Sequence, residues 1–313
     1  MSQPVLTVVA VCLGFIMVLG FLNNLLVLVM FCKFKALRCP INMLLMNISV
    51  SDMLECVFGT PLSFAASLEG RWLAGEQGCK WYGFANSLGI VSLMSLCFLS
   101  YDRSCTVTKC TKGASNYQKA WLEVGLTWLY SFLWTMPPLF GWNAYGPEGT
   151  GITCSVHWKA HTRGGMSYAI CLFIFCLVLP IFIIVCCYGR ILYKIKQVSR
   201  YQKTAARRRE YHVLFMVITM VVFFLLCWLP YGVMALIATF GKSNLITPAA
   251  SILPAILAKC STVYNPFIYI VMNKQFRSCI LYLSLCFSTT VLNLTQWLLS
   301  TLQDDGLLWS TLC

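Results

Sequence analysis

Charged side chains are scarce in this chain of 313 residues. Lys and Arg total 23 and Asp and Glu total 10, so only 11% of the residues are charged. A typical soluble domain has about 25%. This shortage makes a water-soluble globular enzyme, a disordered chain or a charge-rich coiled coil a poor description of the molecule. Hydrophobic residues make up 59% of the chain and its mean hydropathy is +0.75, which indicates a membrane protein.

Long polar segments are also missing, and seven apolar runs take up most of the chain. A helix needs about 20 residues to cross a bilayer core of about 30 Å. The links between the runs are short, so we predict an all-α seven-transmembrane helix bundle over residues 1–277, without a second domain and without a cleavable signal peptide. The runs cover residues 5–32, 41–68, 81–101, 124–147, 164–189, 211–241 and 243–273.

The remaining residues, 278–313, begin with a stretch that is uncharged as far as residue 303 but rich in Ser, Thr, Asn and Gln. Its average hydrophobicity is too low for an eighth span. We predict a short interfacial eighth helix on the inner leaflet, followed by an atypical apolar C-terminal tail.

The net charge of +13 could indicate a nucleic-acid partner, but the basic residues follow the apolar runs. Seventeen of the 23 lie in the links after the first, third, fifth and seventh runs. The positive-inside rule then places the N-terminus outside and the C-terminus in the cytoplasm of a multi-pass plasma-membrane protein. Contact with the lipid bilayer explains the charge without nucleic acid. The 18 cysteines mostly lie within uncharged runs, so at most a few should pair, and we expect no metal site.

Six of the runs contain polar, aromatic or proline features that together resemble rhodopsin-type G-protein-coupled receptors. Each feature is weak alone, but they occur in the family's order across most of the chain. They are Gly20 with Asn24, Ser51 with Asp52, Asp102 with Arg103, Trp128, the run CWLPY at 227–231 and the run NPFIY at 265–269.

Within that family, Lys259 indicates an opsin. Sixteen uncharged residues precede it and fourteen follow it, so its side chain is too deep to snorkel to water. A lysine at the middle of a membrane helix costs roughly 2.5 to 3.5 kcal/mol on insertion scales and is a functional-site hypothesis by default. A desolvated amine can condense with an aldehyde to a Schiff base. Lys259 stands where opsins attach retinal, so the resemblance implies that cofactor, as the 11-cis or the all-trans isomer.

The resemblance is greatest to encephalopsin and the teleost multiple tissue opsins, with melanopsin-like and peropsin-like pigments as alternatives. In the family arrangement, Phe224, Trp228 and Tyr231 would pack against the polyene. The same three aromatic residues could instead belong to an ordinary apolar core.

A protonated Schiff base in hydrocarbon needs an anion nearby. Vertebrate visual pigments place it three residues after the outer cysteine of the third helix, but here that residue is Tyr82, which is neutral at physiological pH. Other opsins place the anion on an acidic residue of the second outer loop, six residues before the disulfide cysteine of that loop. Glu148 has that spacing from Cys154 and is the expected counterion. Glu55, an unexpected acid in the second run, is the competitor.

The resemblance also implies a disulfide and a coupling surface. Cys79 and Cys154 would form the bridge on the oxidising side, pinning the loop that carries Glu148. In the family, an acidic residue next to Arg forms a switch that holds the third and sixth helices together at rest. Separation of these helices would expose a basic groove to a heterotrimeric G protein. A triplet after the seventh run favours the inhibitory or transducin-like class, although it could be no more than a helix cap. The coupling and switch residues are Asp102, Arg103, Asn265, Pro266, Tyr269, Asn273, Lys274 and Gln275.

Two features depart from the family pattern. Ser104 replaces the usual tyrosine after Arg103, and 23 steps separate Cys79 from Asp102, one fewer than in the family. A missing residue turns everything beyond it by about 100°. We therefore expect either a local distortion of the third helix between these two residues or a helix whose retinal end and G-protein end do not both keep the family register.

The leading functional hypothesis is a light-sensitive, bistable, non-visual receptor that is not an enzyme. The alternative is a peropsin-like retinal photoisomerase with weak or no G-protein signalling. A receptor for a diffusible ligand would leave Lys259 without a role.

Overall fold

The computed structural model describes residues 3–109, 116–159, 162–198, 205–241, 247, 250–285 and 289. Helices dominate these residues and pack side by side into a bundle. The α-helices are α1 (Gln3–Lys33), α2 (Pro40–Phe58), α3 (Thr60–Glu69), α4 (Gly75–Asn86), α5 (Gly89–Lys109), α6 (Tyr117–Thr135), α7 (Arg163–Phe173), α8 (Leu179–Val198), α9 (Ala205–Phe240) and α10 (Ile252–Met272).

Seven rods follow from these helices, because three spans are built in two parts. Helices α2 and α3 form the second rod, α4 and α5 the third, and α7 and α8 the fifth, the last pair joined by a π-helical turn at Ile174–Val178. Within the described residues, six rods are long and apolar enough to cross a membrane. The remaining rod is α6, whose first half carries Lys119 and Glu123. The predicted all-α seven-helix architecture is confirmed.

The fourth span differs from its predicted position at residues 124–147. Helix α6 begins at Tyr117, after Asn116, whose side-chain oxygen accepts a hydrogen bond from the Lys119 backbone N–H at 3.1 Å. It ends at Thr135 because Pro137 and Pro138 have no N–H to continue the hydrogen-bond ladder. The prediction was wrong at both ends, since charged residues were taken as outside the helix and proline as inside it.

The third span contains the expected distortion. Helix α4 ends at Asn86 and α5 begins at Gly89, so Ser87 and Leu88 interrupt the rod. Around this break the backbone bonds run from residue i to i−3, with Ser87 N–H donating to Phe84 at 3.1 Å and Leu88 N–H donating to Ala85 at 3.2 Å. These are 3₁₀-type turns, which wind more tightly than an α-helix.

A two-stranded antiparallel hairpin covers one end of the bundle. The positive-inside rule predicts that this end lies outside, so it is called the outer end and the opposite end is called the inner end. Strand β1 (Tyr145–Glu148) pairs with β2 (Thr153–Val156), with Glu148 opposite Thr153 and Pro147 opposite Cys154. The predicted disulfide is present: Cys79 of α4 bonds to Cys154 of β2 with an S–S distance of 2.00 Å. The bridge ties the hairpin to the third span.

At the inner end, the chain continues after α10 as a helix over residues 274–285. Asn273 has an extended conformation and its side-chain oxygen accepts a hydrogen bond from the Gln275 N–H at 3.0 Å, so it caps this helix. Phe276 is fully buried and packs edge-on against Phe31 of α1, with ring centroids 5.4 Å apart. The predicted short helix after the seventh span is therefore found four residues earlier than expected. The predicted apolar tail lies largely outside the described residues.

Candidate functional site

A mostly apolar cavity lies within the bundle, beneath the hairpin. Its walls come from α2, α4, α5, both strands, α7, α9 and α10. Ligand sites in helical bundles have this character, with many apolar groups and a few polar groups that converge. The cavity residues that the sequence singled out are Glu55, Tyr82, Glu148, Phe224, Trp228, Tyr231 and Lys259.

Lys259 is buried on α10, with 6% of its surface exposed. Its Nζ donates to Asn86 Oδ1 at 2.5 Å and lies 3.8 Å from Glu55 Oε1. The same nitrogen lies 5.0 Å from the centre of the Tyr82 ring, which is a cation–π distance. Three side chains from two other spans thus stabilise the buried amine.

Glu55 reaches Lys259 from α2, where it is 3% exposed. The helix breaks just beyond it: Gly59 N–H and the Thr60 hydroxyl both donate to the Glu55 carbonyl, at 3.0 and 3.4 Å. Asp52, one turn earlier, accepts hydrogen bonds from Ser92 at 2.9 Å and from Asn265 at 3.0 Å. The two carboxylates of α2 therefore have separate partners.

Sequence reasoning missed Asn86. This residue ends α4, one turn after Tyr82, and its Nδ2 donates to the Tyr82 carbonyl at 2.8 Å. That bond directs Oδ1 towards Lys259. A polar amide one turn after Tyr82 in an otherwise apolar run was the signal that could have identified it.

Glu148, the expected counterion, lines the same cavity from β1. Its carboxylate accepts hydrogen bonds from the Tyr231 hydroxyl, at 3.2 Å to Oε2 and 3.4 Å to Oε1. Burial raises the pKa of Glu148 from 4.5 to about 7, although hydrogen bonds from Ser155 and Tyr231 oppose the shift. Among the described residues, the ion pair that Lys259 makes within 4.0 Å is with Glu55. The counterion role of Glu148 stays a prediction.

The three predicted aromatic residues line one wall of the cavity on α9. Phe224 and Trp228 are stacked with centroids 5.8 Å apart, and Trp228 meets Tyr231 edge-on at 6.3 Å. Trp228 Nε1 donates to Ser261 at 3.2 Å. A Cβ at Gly89 would lie 2.4 Å from Trp228 Cζ2, so the indole touches the broken part of the third span.

The inner face brings together only some of the predicted switch residues. Asp102 forms a hydrogen-bonded ion pair with Lys119 of α6, which also lies 3.2 Å from Glu123. This contact joins the third and fourth spans, and the expected hold between the third and sixth spans stays a prediction. Tyr269 is fully buried against Phe276, with ring centroids 6.2 Å apart. Pro266 lies inside α10, next to Asn265.

Comparison with known proteins agrees with this architecture. Residues 23–269 match the sequence pattern of the protein family described as 7 transmembrane receptor (rhodopsin family). The chain is 40% identical to Opsin-3 of Mus musculus over 285 residues, covering 89% of this chain and 70% of that protein. It is 37% identical to Pinopsin of Columba livia over 283 residues, covering 89% and 81%. It is 36% identical to Melanopsin of Phodopus sungorus over 275 residues, covering 83% and 59%.

The crystal structure of squid rhodopsin matches with a TM-score of 0.84 and 30% identity, covering 90% of this chain and 85% of that one. The chain therefore belongs to the rhodopsin family of seven-transmembrane receptors. Within that family it is homologous to opsins, and it is an opsin-type G-protein-coupled receptor. Its relatives are signalling receptors rather than enzymes, and they imply a retinal chromophore.

Proposed function

We propose that this protein is a light-activated receptor that holds retinal as a Schiff base on Lys259. The observation that carries the proposal is the Lys259 amine, which is buried at the wall of an apolar cavity lined by two carboxylates and eight aromatic side chains. Those residues fit an elongated apolar aldehyde. Retinal, when bound, supplies light absorption and a light-driven change of shape.

The covalent step needs only the lysine and the aldehyde. Nζ of Lys259 would hold the aldehyde carbon through a C=N bond, with the aldehyde oxygen leaving as water. The nitrogen then holds a proton that a nearby carboxylate stabilises, because an unpaired charge is costly in this buried site.

Signalling requires that a change at the cavity reach the inner face. Trp228 is well placed for this, because it lies on α9 two residues before Pro230 and touches the break in the third span at Gly89. A proline inside a helix removes one backbone hydrogen bond and permits bending. We propose that displacement of Trp228 tilts α9 and opens a basic groove at the inner ends of the third and sixth spans.

We further propose an inhibitory or transducin-like G protein as the partner, because Asn273, Lys274 and Gln275 match the ciliary-opsin triplet. Asn273 caps the helix over residues 274–285, so the triplet stands at a fixed corner of the inner face. Bistability is part of the proposal because Tyr82 leaves no acid at the position that vertebrate visual pigments use, so the anion of the linkage lies elsewhere in the cavity.

The first experiment replaces the attachment residue. Lys259→Ala should abolish covalent pigment, because Lys259 is the one lysine among the cavity-lining residues described. Borohydride reduction of retinal-treated protein, followed by peptide mass analysis, measures the linkage. Lys80→Ala, which removes the half-exposed partner of Glu76 near the outer face, is the matched control and should label normally. Retinal still fixed to the Lys259→Ala protein would refute the assigned attachment site.

Two features of the third span favour a second candidate, a retinal photoisomerase with little signalling. The third span is broken at Ser87 and Leu88, and Ser104 stands after Arg103 where the family has tyrosine. Both changes lie on the helix that links the cavity to the inner face. Light-dependent nucleotide exchange on an added inhibitory G protein favours the receptor, whereas light-dependent release of 11-cis-retinal without exchange favours the isomerase.

A further inference from the structure

Two carboxylates line the cavity, and they have different partners. Glu55 lies 3.8 Å from the Lys259 nitrogen, whereas Glu148 is held by the Tyr231 hydroxyl. We propose that Glu55, on the second span, is the resting charge partner of the retinal linkage on Lys259. This inference rests on the proposed function, and it gives a definite role to a residue that the opsin pattern leaves without one.

The position of Glu55 suits a permanent ion pair. Glu55 and Lys259 are 3% and 6% exposed, so water screens their attraction little. A buried lone charge on either residue would be costly, and each supplies the charge that the other lacks. Asn86 adds a hydrogen-bond acceptor at 2.5 Å, but a neutral amide brings no charge. Tyr82 contributes a ring face at 5.0 Å.

The other acids near the cavity are less suitable partners. Asp52 lies one turn away on α2, but its two oxygens accept hydrogen bonds from Ser92 and Asn265. Glu148 comes from the hairpin, where its carboxylate accepts hydrogen bonds from the Tyr231 hydroxyl at 3.2 and 3.4 Å. The groups that face Lys259 are accordingly Glu55 and Cys56 of α2 and Tyr82 and Asn86 of α4, with Glu148 facing the shared cavity.

The main test is Glu55→Gln in protein loaded with retinal. The variant should still carry retinal on Lys259 after borohydride reduction, but its visible absorption band should be lost at a lower pH than in the wild type. An opposite charge within about 4 to 6 Å typically moves a pKa by about one to three pH units, so the midpoint should fall by about that amount. Asp52→Asn, which removes the neighbouring buried carboxylate of the same helix, is the matched control and should keep the wild-type midpoint.

A second variant covers the case in which Glu55→Gln does not fold. Glu55→Asp keeps the charge one methylene further from Lys259, and it should move the midpoint in the same direction by less. An unchanged midpoint in the Glu55 variants, with a lowered midpoint in Glu148→Gln, would overturn the proposal. Failure of the wild-type protein to trap retinal on Lys259 would instead refute the proposed function, so the two failures are distinguishable.

Discussion

Lys259 is an expensive residue at its depth in the bundle, since a central lysine costs roughly 2.5 to 3.5 kcal/mol on insertion scales. The structure offsets this cost with Glu55, Asn86 and Tyr82, which surround the amine within hydrogen-bond, ion-pair and cation–π distances. These neighbours come from the second and third spans. The lysine therefore also links three spans at the cavity.

Glu148 gives a pH-dependent prediction at the residue scale. Burial raises its pKa in the folded protein from 4.5 to about 7, so the folded state binds its proton more tightly than the unfolded state does. The contribution of Glu148 to the free energy of unfolding should therefore be largest below pH 4.5. It should fall as the pH rises towards and through 7. Glu148→Gln should remove that loss, because the amide does not ionise and its oxygen still accepts from Tyr231.

Thermal unfolding of retinal-free protein at a series of pH values measures this effect. The difference between wild type and Glu148→Gln should be small in acid and should grow in favour of the variant above neutral pH. Glu76→Gln is the control, because Glu76 is an exposed partner of Lys80. A constant difference across the pH range would mean that Glu148 does not titrate as burial requires.

The break in the third span is the main feature at the element scale. One residue is missing between Cys79 and Asp102 by family spacing, which should turn the inner half of the helix by about 100°. Four backbone bonds around the break, those donated by Ser87, Leu88, Ile90 and Val91, run from i to i−3. Each residue in such a turn advances about 120° instead of about 100°. Tight winding of this kind acts against the loss of register that the family spacing predicts.

Gly89 gives the prediction for this element. Gly89→Ala should destabilise the protein by about 1 to 3 kcal/mol, because the new methyl group would overlap Trp228 where the third and sixth spans meet. Gly125→Ala in α6 is the matched control, since nothing lies within 4 Å of the position that its new methyl group would take and alanine favours helix. Thermal unfolding measures both variants. Equal stability in the two variants would mean that Trp228 does not pack closely against Gly89 at the break in the third span.

The sequence predicted the large features of this fold and fewer of its contacts. Apolar run length identified seven spans, and counting residues from Cys79 to Asp102 anticipated the distortion. The fourth span was misplaced because hydropathy alone gave too little weight to Pro137 and to the pairing of Lys119. At the site, the sequence singled out Lys259 and three aromatic residues that line the cavity. The amide of Asn86 was visible in the sequence, but its direction towards Lys259 was not, because that depends on its bond to the Tyr82 carbonyl.

At the scale of the whole molecule, the outer and inner ends differ in structure. The hairpin, held by the disulfide of Cys79, closes the cavity from outside. The inner end has the Asp102–Lys119 contact and the capped helix over residues 274–285. Helix α9 runs between them and carries Trp228 near its Pro230. Under the proposed function, a change of shape in the cavity shifts the balance between two states of the bundle.

The most direct test of a light-activated receptor is an absorption spectrum of the purified protein with added 11-cis-retinal, before and after illumination. We expect a visible band that changes on the first flash and returns on a second flash of different colour, with borohydride-trapped retinal on Lys259 throughout. All-trans-retinal added to a parallel sample tests isomer preference. A protein that forms no covalent pigment with either isomer, or whose band does not respond to light, would contradict the account.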